Sequence, residues 1–356
     1  MRILFTGGGT LGPVTPLLAL AESFPVIPSE VEGSRRDFLW LGTRQGPEQK
    51  VIEAAGIRFA AIPSAKLRRY FDGRTFLAPF SLCAGFFAAL YHIVKFKPDA
   101  IVTAGGYVGV PVVIAGWILR VPSLMIQLDL KPVLSNLIAA PFARRIAVTF
   151  AGTLRYFPKN KTIHTGAPVR LSVVLHSDSR IQSFKQFHLD TNLPTVLVLG
   201  GGTGALRLNE LIDEAIPEII KHAQILHLTG PGKLVSEPGP RYYPVEFLQE
   251  MDLAYAVADL VVCRAGIGTL SEVAAIGLPT IFIPIPKTSQ VDNARALEER
   301  GAAVVMDQNK TSPAELAERV VSLLLDDARR NALGEKIKNL FPQNATLRLV
   351  EEVLKL

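Results

Sequence analysis

Short apolar runs alternate along this chain with longer segments in which apolar positions recur at helical spacing. The runs at 2–6, 37–42, 59–62, 100–103, 123–127 and 145–148 are too short for helices and are bounded by Gly, Pro or polar residues, so they predict buried strands. Helical patterns lie between them at 16–23, 47–55, 79–96, 111–119 and 133–140, four of the five opening on a proline, whose fixed φ and missing N–H suit a first turn. The second half repeats the scheme, with strands at 195–199, 224–229, 259–263, 280–284 and 302–306 and helices at 205–221, 269–276, 293–300 and 312–325. Such alternation predicts an α/β protein of two doubly wound, Rossmann-like domains with ligand crevices at the carboxyl ends of the strands. Turn chemistry at 156–166 places the join there, giving domains of 1–160 and 161–340. A last helical pattern at 345–354 can return to either domain, and the aperiodic residues 27–36 read as a surface insertion.

With 356 residues each domain can bury its own core. Charge separates the halves: residues 1–165 carry 19 Lys+Arg against 9 Asp+Glu, whereas residues 166–356 carry 19 against 23. The first half is therefore expected to meet an anionic partner. No nucleic acid is expected, because the basic residues are not interleaved with aromatics in an RNA-binding pattern and no helix-turn-helix or zinc-finger spacing occurs. An anionic membrane surface fits better. Cys83 and Cys263 lie far apart in apolar runs, which predicts neither a disulfide nor a cysteine metal site and suggests a reducing cytoplasm. No signal peptide is read at the start, where Met1-Arg2-Ile3-Leu4-Phe5 runs straight into a glycine loop. The apolar stretch 77–94 has three readings: a membrane span, a buried crossover helix, or a crossover with one membrane-facing end. Before it, Lys66, Arg68, Arg69, Phe71 and Phe76, continuing to Phe80, form a basic, aromatic segment. It is either a membrane contact or a solvated loop preceding a core helix.

Candidate chemistry concentrates in glycine turns at strand ends. Val261-Val262-Cys263-Arg264-Ala265-Gly266-Ile267-Gly268-Thr269-Leu270-Ser271-Glu272 reads as a strand, a tight turn and a helix start with Glu272 in the first turn. One reading is an ordinary turn capped by Thr269. The other is a nucleotide-diphosphate site, in which free N–H groups and the helix dipole receive phosphate while a carboxylate takes the ribose hydroxyls. Gly7-Gly8-Gly9-Thr10-Leu11-Gly12-Pro13 follows the first strand, and Gly200-Gly201-Gly202-Thr203-Gly204-Ala205 holds the corresponding place in the second half. A dinucleotide is disfavoured, since the second strand ends Leu41-Gly42-Thr43-Arg44 without the expected acid. Two such loops suit a sugar donor on one and an acceptor pyrophosphate on the other. Gly105-Gly106-Tyr107 adds a third turn on the first sheet.

Taken in order, the segments 7–16, 43–46, 66–70, 105–111, 165–170, 200–209, 263–272 and 290–294 resemble the MurG family of lipid-linked UDP-N-acetylglucosamine transferases of peptidoglycan synthesis. The resemblance covers nearly the whole chain and implies a GT-B fold, with residues 341–356 crossing back onto the first domain. It implies UDP-N-acetylglucosamine as donor, a polyprenyl-diphosphate-linked acceptor and a peripheral place on the cytoplasmic face of the cell membrane; no cofactor is expected, and no metal either, since no Asp-x-Asp motif stands on a strand end and the helix start at 266–269 with Arg170 can stabilise departing UDP. For the donor it implies Arg170 on the diphosphate, the Leu248 backbone on uracil, and Ile267, Gly268, Thr269, Leu270, Ser271 and Glu272 on phosphates and ribose. Gln290 would bind the sugar hydroxyls, Asn293 would orient that loop, and Gly202 stands where the family usually has serine. Thr10, Leu11, Gly12 and Asn136 match the acceptor side.

That side also departs from the family. The first loop of the family ends in a histidine, a candidate base; here the position is Pro13, which cannot accept a proton. The family's H-E-Q-N is replaced by Gln127-Leu128-Asp129-Leu130, and none of the six histidines falls on a first-domain glycine loop. Asp129 is the carboxylate placed nearest the crevice, so the base role passes to it, unless it merely faces solvent. Three functions follow: inverting transfer of N-acetylglucosamine to lipid-linked N-acetylmuramoyl-peptide, transfer to another lipid acceptor, or a silent UDP-sugar-binding scaffold.

Overall fold

In the computed structural model, which describes residues 1–24, 37–64, 78–175, 180–201 and 205–356, seven parallel strands build the first sheet. They are β1 (Arg2–Thr6), β2 (Asp37–Gly42), β3 (Arg58–Ala61), β4 (Ala100–Thr103), β5 (Ser123–Gln127), β6 (Arg145–Val148) and β7 (Thr162–His164), in the order β3-β2-β1-β4-β5-β6-β7. Central β1 buries Ile3, Leu4 and Phe5 completely, as a strand covered on both faces must. The covering helices are α1 (Val14–Ser23), α2 (Glu48–Ala54), α3 (Ala78–Phe96), α4 (Gly109–Ile118) and α5 (Leu134–Ala139).

The second sheet holds β8 (Thr195–Leu199), β9 (Gln224–Leu228), β10 (Tyr242–Val245), β11 (Leu260–Cys263), β12 (Thr280–Phe282) and β13 (Val304–Val305), all parallel. Their order is β10-β9-β8-β11-β12-β13. Around them lie α6 (Leu171–Leu175), α7 (Arg180–Gln186), α8 (Leu206–Ile219), α9 (Met251–Val257), α10 (Ile267–Ile276), α11 (Ser289–Glu298), α12 (Pro313–Leu324) and α13 (Asp327–Asn339). Both halves thus share one strand order, which reverses at β1/β4 and at β8/β11. Those are the switch points where doubly wound sheets open a crevice, and the glycine turns leave from these strands.

The chain divides into Met1–Arg170 with Asn344–Leu356, and Leu171–Gln343. The first unit runs past the expected limit at 160 because β7 pairs with β6 and so belongs to its sheet. The last helix, α14 (Ala345–Leu354), lies in that unit and packs on α1. It buries Thr346, Leu349, Val350 and Val353, an i, i+3, i+4, i+7 stripe. Its Thr346 hydroxyl donates to the Val169 carbonyl at 2.8 Å and accepts from the Val169 N–H at 2.9 Å.

The stretch 77–94 falls mainly in α3, a crossover between β3 and β4 that buries Ala89, Ile93 and Phe96 and leaves Phe80 and Phe87 exposed. Among the described residues no helix is long and apolar enough to cross a membrane. Residues 27–36, Gly202, Lys66, Arg68, Arg69, Phe71 and Phe76 lie outside the described residues.

Candidate active site

In the second unit the site grows from the end of β11. Gly266 is extended (φ −69°, ψ 139°) and forms the N-cap of α10, and no side chain caps the helix start. Ile267 is therefore the first helical residue, so Thr269 is not the cap and Glu272 lies in the second turn rather than the first. The carboxylate is still directed toward the site's end of the helix, because helical side chains lean toward the N-terminus. Glu272 is buried and accepts a hydrogen bond from the Tyr255 hydroxyl of α9 at 2.8 Å. Beside it the buried Ser271 hydroxyl has no hydrogen-bond partner among the described residues, an orphan that a polar ligand would satisfy.

Two further side chains frame this helix start. The Gln290 carboxamide oxygen accepts from the Ile285 N–H at 3.1 Å, and its nitrogen lies 3.9 Å from where a Cβ on Gly266 would sit. Arg264, which sequence reasoning passed over, is buried between strand and turn; its Nη1 donates to the Ile283 carbonyl at 2.7 Å while Nε has no partner among the described residues. Burial lowers its pKa to about 10. The available signal was a cation inside an otherwise apolar run, which demands a reason. Asn293 is fully buried in α11, and Leu248 lies half-buried in the loop after β10. A second polar cluster secures the β9 end. His227 Nε2 meets Asn209 Oδ1 at 3.2 Å and Nδ1 meets the Tyr242 hydroxyl at 3.0 Å, while Asn209 Nδ2 donates to the carbonyls of Thr229 and Lys233.

In the first unit the loop after β1 is organised by a residue that the sequence reading did not single out. Glu48, at the start of α2, is fully buried, and its Oε1 accepts from the Gly9 N–H at 3.2 Å, the Thr43 N–H at 2.8 Å and the Thr43 hydroxyl at 2.5 Å. Glycines make the space: a Cβ on Gly8 would sit 2.1 Å from Oε1, and one on Gly46 would sit 1.8 Å from Oε2. That Oε2 has no partner among the described residues. Tyr107, from the turn after β4, lies against Gly9; burial and then the Glu48 charge push its phenol above the ordinary range, with the neighbouring Thr43 hydroxyl opposing them. The expectation that this loop offers its amides to a pyrophosphate is thereby changed, since the Gly9 amide already serves a carboxylate.

Of the sequence candidates here, Thr10 and Gly12 are exposed and Leu11 and Pro13 half-buried, with Pro13 capping α1. Asn136 is buried; its Nδ2 donates to Gln127 Oε1 at 2.7 Å, and Gln127 Nε2 donates to the carbonyls of Asp129 at 2.8 Å and Lys131 at 3.2 Å. Asn136 therefore shapes the loop that carries Asp129. Arg170 ends the first unit, where its charge opposes the desolvation that raises the pKa of Glu22 on α1.

Comparison with known proteins follows the same division. Residues 3–148 match the glycosyltransferase family 28 N-terminal domain and residues 195–348 its C-terminal domain. A Bacillus cereus (strain ATCC 10987 / NRS 248) protein, UDP-N-acetylglucosamine--N-acetylmuramyl-(pentapeptide) pyrophosphoryl-undecaprenol N-acetylglucosamine transferase 2, is 37% identical over 329 residues, covering 90% of this chain and 91% of its own. The transferase of that name from Clostridium tetani (strain Massachusetts / E88) is 33% identical over 318 residues, covering 87% and 86%. Among solved structures, Acinetobacter baumannii MurG superposes with a TM-score of 0.75 at 24% identity, covering 100% of this chain and 99% of that one. A Neisseria meningitidis UDP-GlcNAc 2-epimerase bound to UDP-GlcNAc gives 0.68 at 13% identity, with 100% of both chains covered. The fold is the two-domain α/β architecture of GT-B type, and an epimerase shares it, so fold alone does not select the reaction.

Proposed function

The chain belongs to glycosyltransferase family 28, in the family of UDP-N-acetylglucosamine--N-acetylmuramyl-(pentapeptide) pyrophosphoryl-undecaprenol N-acetylglucosamine transferases, and we propose that it transfers N-acetylglucosamine from UDP-N-acetylglucosamine to lipid-linked N-acetylmuramoyl-peptide. The observation that carries this reading is the uncapped start of α10, with buried Glu272, the unpartnered Ser271 hydroxyl and Gln290 beside it. Amides 267–269 and the helix dipole would hold the donor phosphates, Glu272 the ribose, and Gln290 the sugar, while Arg170 and Leu248 would serve diphosphate and uracil.

An inverting transfer requires the acceptor hydroxyl in line with the anomeric carbon, removal of its proton, and stabilisation of departing UDP. The helix start and the Arg170 cation would supply the last of these. For the proton, Pro13 replaces the histidine of the family and cannot accept it. Asp129, on the loop held by Gln127 and Asn136, is one candidate. The enzyme would work as a peripheral protein on the cytoplasmic face of an anionic membrane, with Lys66, Arg68, Arg69, Phe71, Phe76 and Phe80 as contacts and no nucleic-acid partner.

Incubating the protein with UDP-N-acetylglucosamine and a short-chain lipid I analogue tests the reading: a disaccharide-lipid product is expected. The altered first loop favours one second reading, transfer to a different lipid acceptor. UDP release with other polyprenyl diphosphates but none with the lipid I analogue would replace the first reading by that one, and binding without turnover would mark a silent scaffold.

A further inference from the structure

In the second unit, Glu272 is held from a neighbouring helix before any ligand arrives. The Tyr255 hydroxyl donates to its Oε2 at 2.8 Å, and both side chains are buried. α9, which carries Tyr255, follows β10, and α10, which carries Glu272, follows β11. The strands are parallel, so both helices begin at the carboxyl edge of the sheet. Helical side chains lean toward the N-terminus, which directs phenol and carboxylate alike to the edge where doubly wound sheets take ligands. A buried phenol needs an acceptor in any fold. This one is set apart by where its acceptor stands. Glu272 adjoins the buried Ser271 hydroxyl, which has no partner among the described residues, on a helix whose start no side chain caps. α9 also connects this bond to a second part of the site, because its N-cap, Glu250, comes two residues after Leu248. The helix buries Leu253, Ala254 and Val257 beside Tyr255 and packs on β8, α6 and α7. Its phenol is therefore anchored, with only two side-chain torsions to fix. A neutral phenol orients a carboxylate without cancelling its charge, whereas a lysine or arginine would cancel it.

We propose that Tyr255 is the positioning residue by which this site tells a uridine ribonucleotide from its 2′-deoxy counterpart, because it aims the Glu272 carboxylate at the ribose hydroxyls. The inference rests on the donor site proposed above and deepens it. A carboxylate already held in place accepts from the ribose without losing rotamer freedom on binding. Each hydrogen bond it accepts has the strength of a charged acceptor. A site built to bond a substrate hydroxyl rejects the analogue that lacks it, and a deoxyribose lacks one of the two. Tyr255 itself touches no nucleotide in this arrangement; it acts through Glu272.

Calorimetric titration of the whole protein with UDP and with 2′-deoxy-UDP reads the ratio of the two dissociation constants. The unaltered protein is expected to prefer UDP by about 10- to 100-fold, the value of one hydrogen bond to a charged group. Tyr255→Phe keeps the ring and removes the donor. It should shrink that preference by about tenfold, chiefly by weakening UDP, and raise the KM for UDP-N-acetylglucosamine rather than lower kcat. In a Glu272→Gln background, Tyr255→Phe should change neither affinity further, because the two residues act as one unit. That double variant leaves no buried carboxylate without its donor, which keeps the test open even if Tyr255→Phe alone unfolds. Equal weakening of both nucleotides with the preference intact would make Tyr255 a packing residue and overturn the proposal, as would a further loss of affinity in the Glu272→Gln background. Unaltered protein that binds both nucleotides equally takes the ribose role from Glu272 and overturns the proposal alone, provided that it transfers sugar to the lipid I analogue. Protein that binds neither nucleotide and transfers no sugar overturns the donor site and the proposal together.

Discussion

At the scale of single residues, two buried titratable groups of the second unit do different work. Glu272 accepts from the Tyr255 hydroxyl and lies beside the orphaned Ser271, and the proposed donor site gives its carboxylate to the ribose hydroxyls. Hydrogen bonds to a charged group are each worth about 1.5–3 kcal/mol. Glu272→Gln should therefore weaken UDP binding by roughly 10- to 100-fold, read by titration calorimetry; an unchanged Kd would remove Glu272 from the donor site. His227 is a structural counterpart. With Nε2–H donated to Asn209 and Nδ1 accepting from Tyr242 it is held neutral, and burial lowers its pKa to about 4 from 6.5. Since the folded value lies below the unfolded one, the unfolded chain binds the extra proton first. Stability should then fall as pH drops from about 6.5 toward 4 and show no further loss from this group below that. The magnitude is on the order of 3 kcal/mol. His227→Gln should flatten that part of a urea-denaturation pH series, whereas an undiminished slope would assign the effect elsewhere.

Between elements, close approach matters more than propensity. A Cβ on Gly334 of α13 would sit 2.3 Å from the carbonyl of Gly277, the residue in the left-handed conformation (φ 75°) that ends α10. Gly334→Ala has to push α13 away from α10, the helix proposed to hold the donor phosphates, at a cost of about 1–3 kcal/mol. A lower urea midpoint together with a raised KM for UDP-N-acetylglucosamine is the expected outcome; loss of stability with KM intact would show that α13 does not set the position of α10. α13 is also an element that periodicity missed. It buries only Leu333, Gly334 and Ile337 in thirteen residues, so it carries almost no apolar stripe to detect. β7 and β10 escaped for a related reason: both are edge strands of three or four residues, and β10 contains Pro244, tolerated where one side of the strand is unpaired. Central strands such as β1, β4, β8 and β11 were legible because burial on both faces leaves an unbroken apolar run. Helix α10 is legible over 269–276, but its start falls two residues earlier, since only backbone angles show that Gly266 and not Thr269 caps it. Glu48 was not legible at all. A glutamate at the head of a short helix reads as a first-turn acid, and its burial depends on Gly8 and Gly46 coming together from separate loops.

Across the whole molecule, charge and exposed apolar surface both concentrate in the first unit. Residues 1–165 carry ten more basic than acidic side chains and residues 166–356 four fewer. In the first unit, α3 exposes Phe80 (75%), Phe87 (67%) and Tyr91 (60%), α4 exposes Trp117 (57%), and α5 exposes Leu134 (61%). These helices are neighbours, α3 packing on α4 and α4 on α5, and Lys95, Lys97, Arg120 and Lys131 stand in or beside them. Large aromatics exposed on adjacent helices with cations at their ends suit insertion into an anionic lipid surface, where rings enter the interface and ammonium groups stay with the phosphates. Fully burying one large apolar side chain contributes about 1.5–3 kcal/mol, so removing two should cost a factor of at least about a hundred in partition. Phe87→Ser/Trp117→Ser is therefore expected to abolish co-sedimentation with anionic vesicles while leaving turnover of a short-chain, water-soluble acceptor intact. Charge reversal at Arg68 and Arg69 should weaken binding in low salt and matter little in high salt, because only the electrostatic part is screened. Vesicle binding that survives the double aromatic substitution would mean that α3 and α4 face something other than lipid, and binding equal on neutral and anionic vesicles would leave the basic excess of this half without a membrane role.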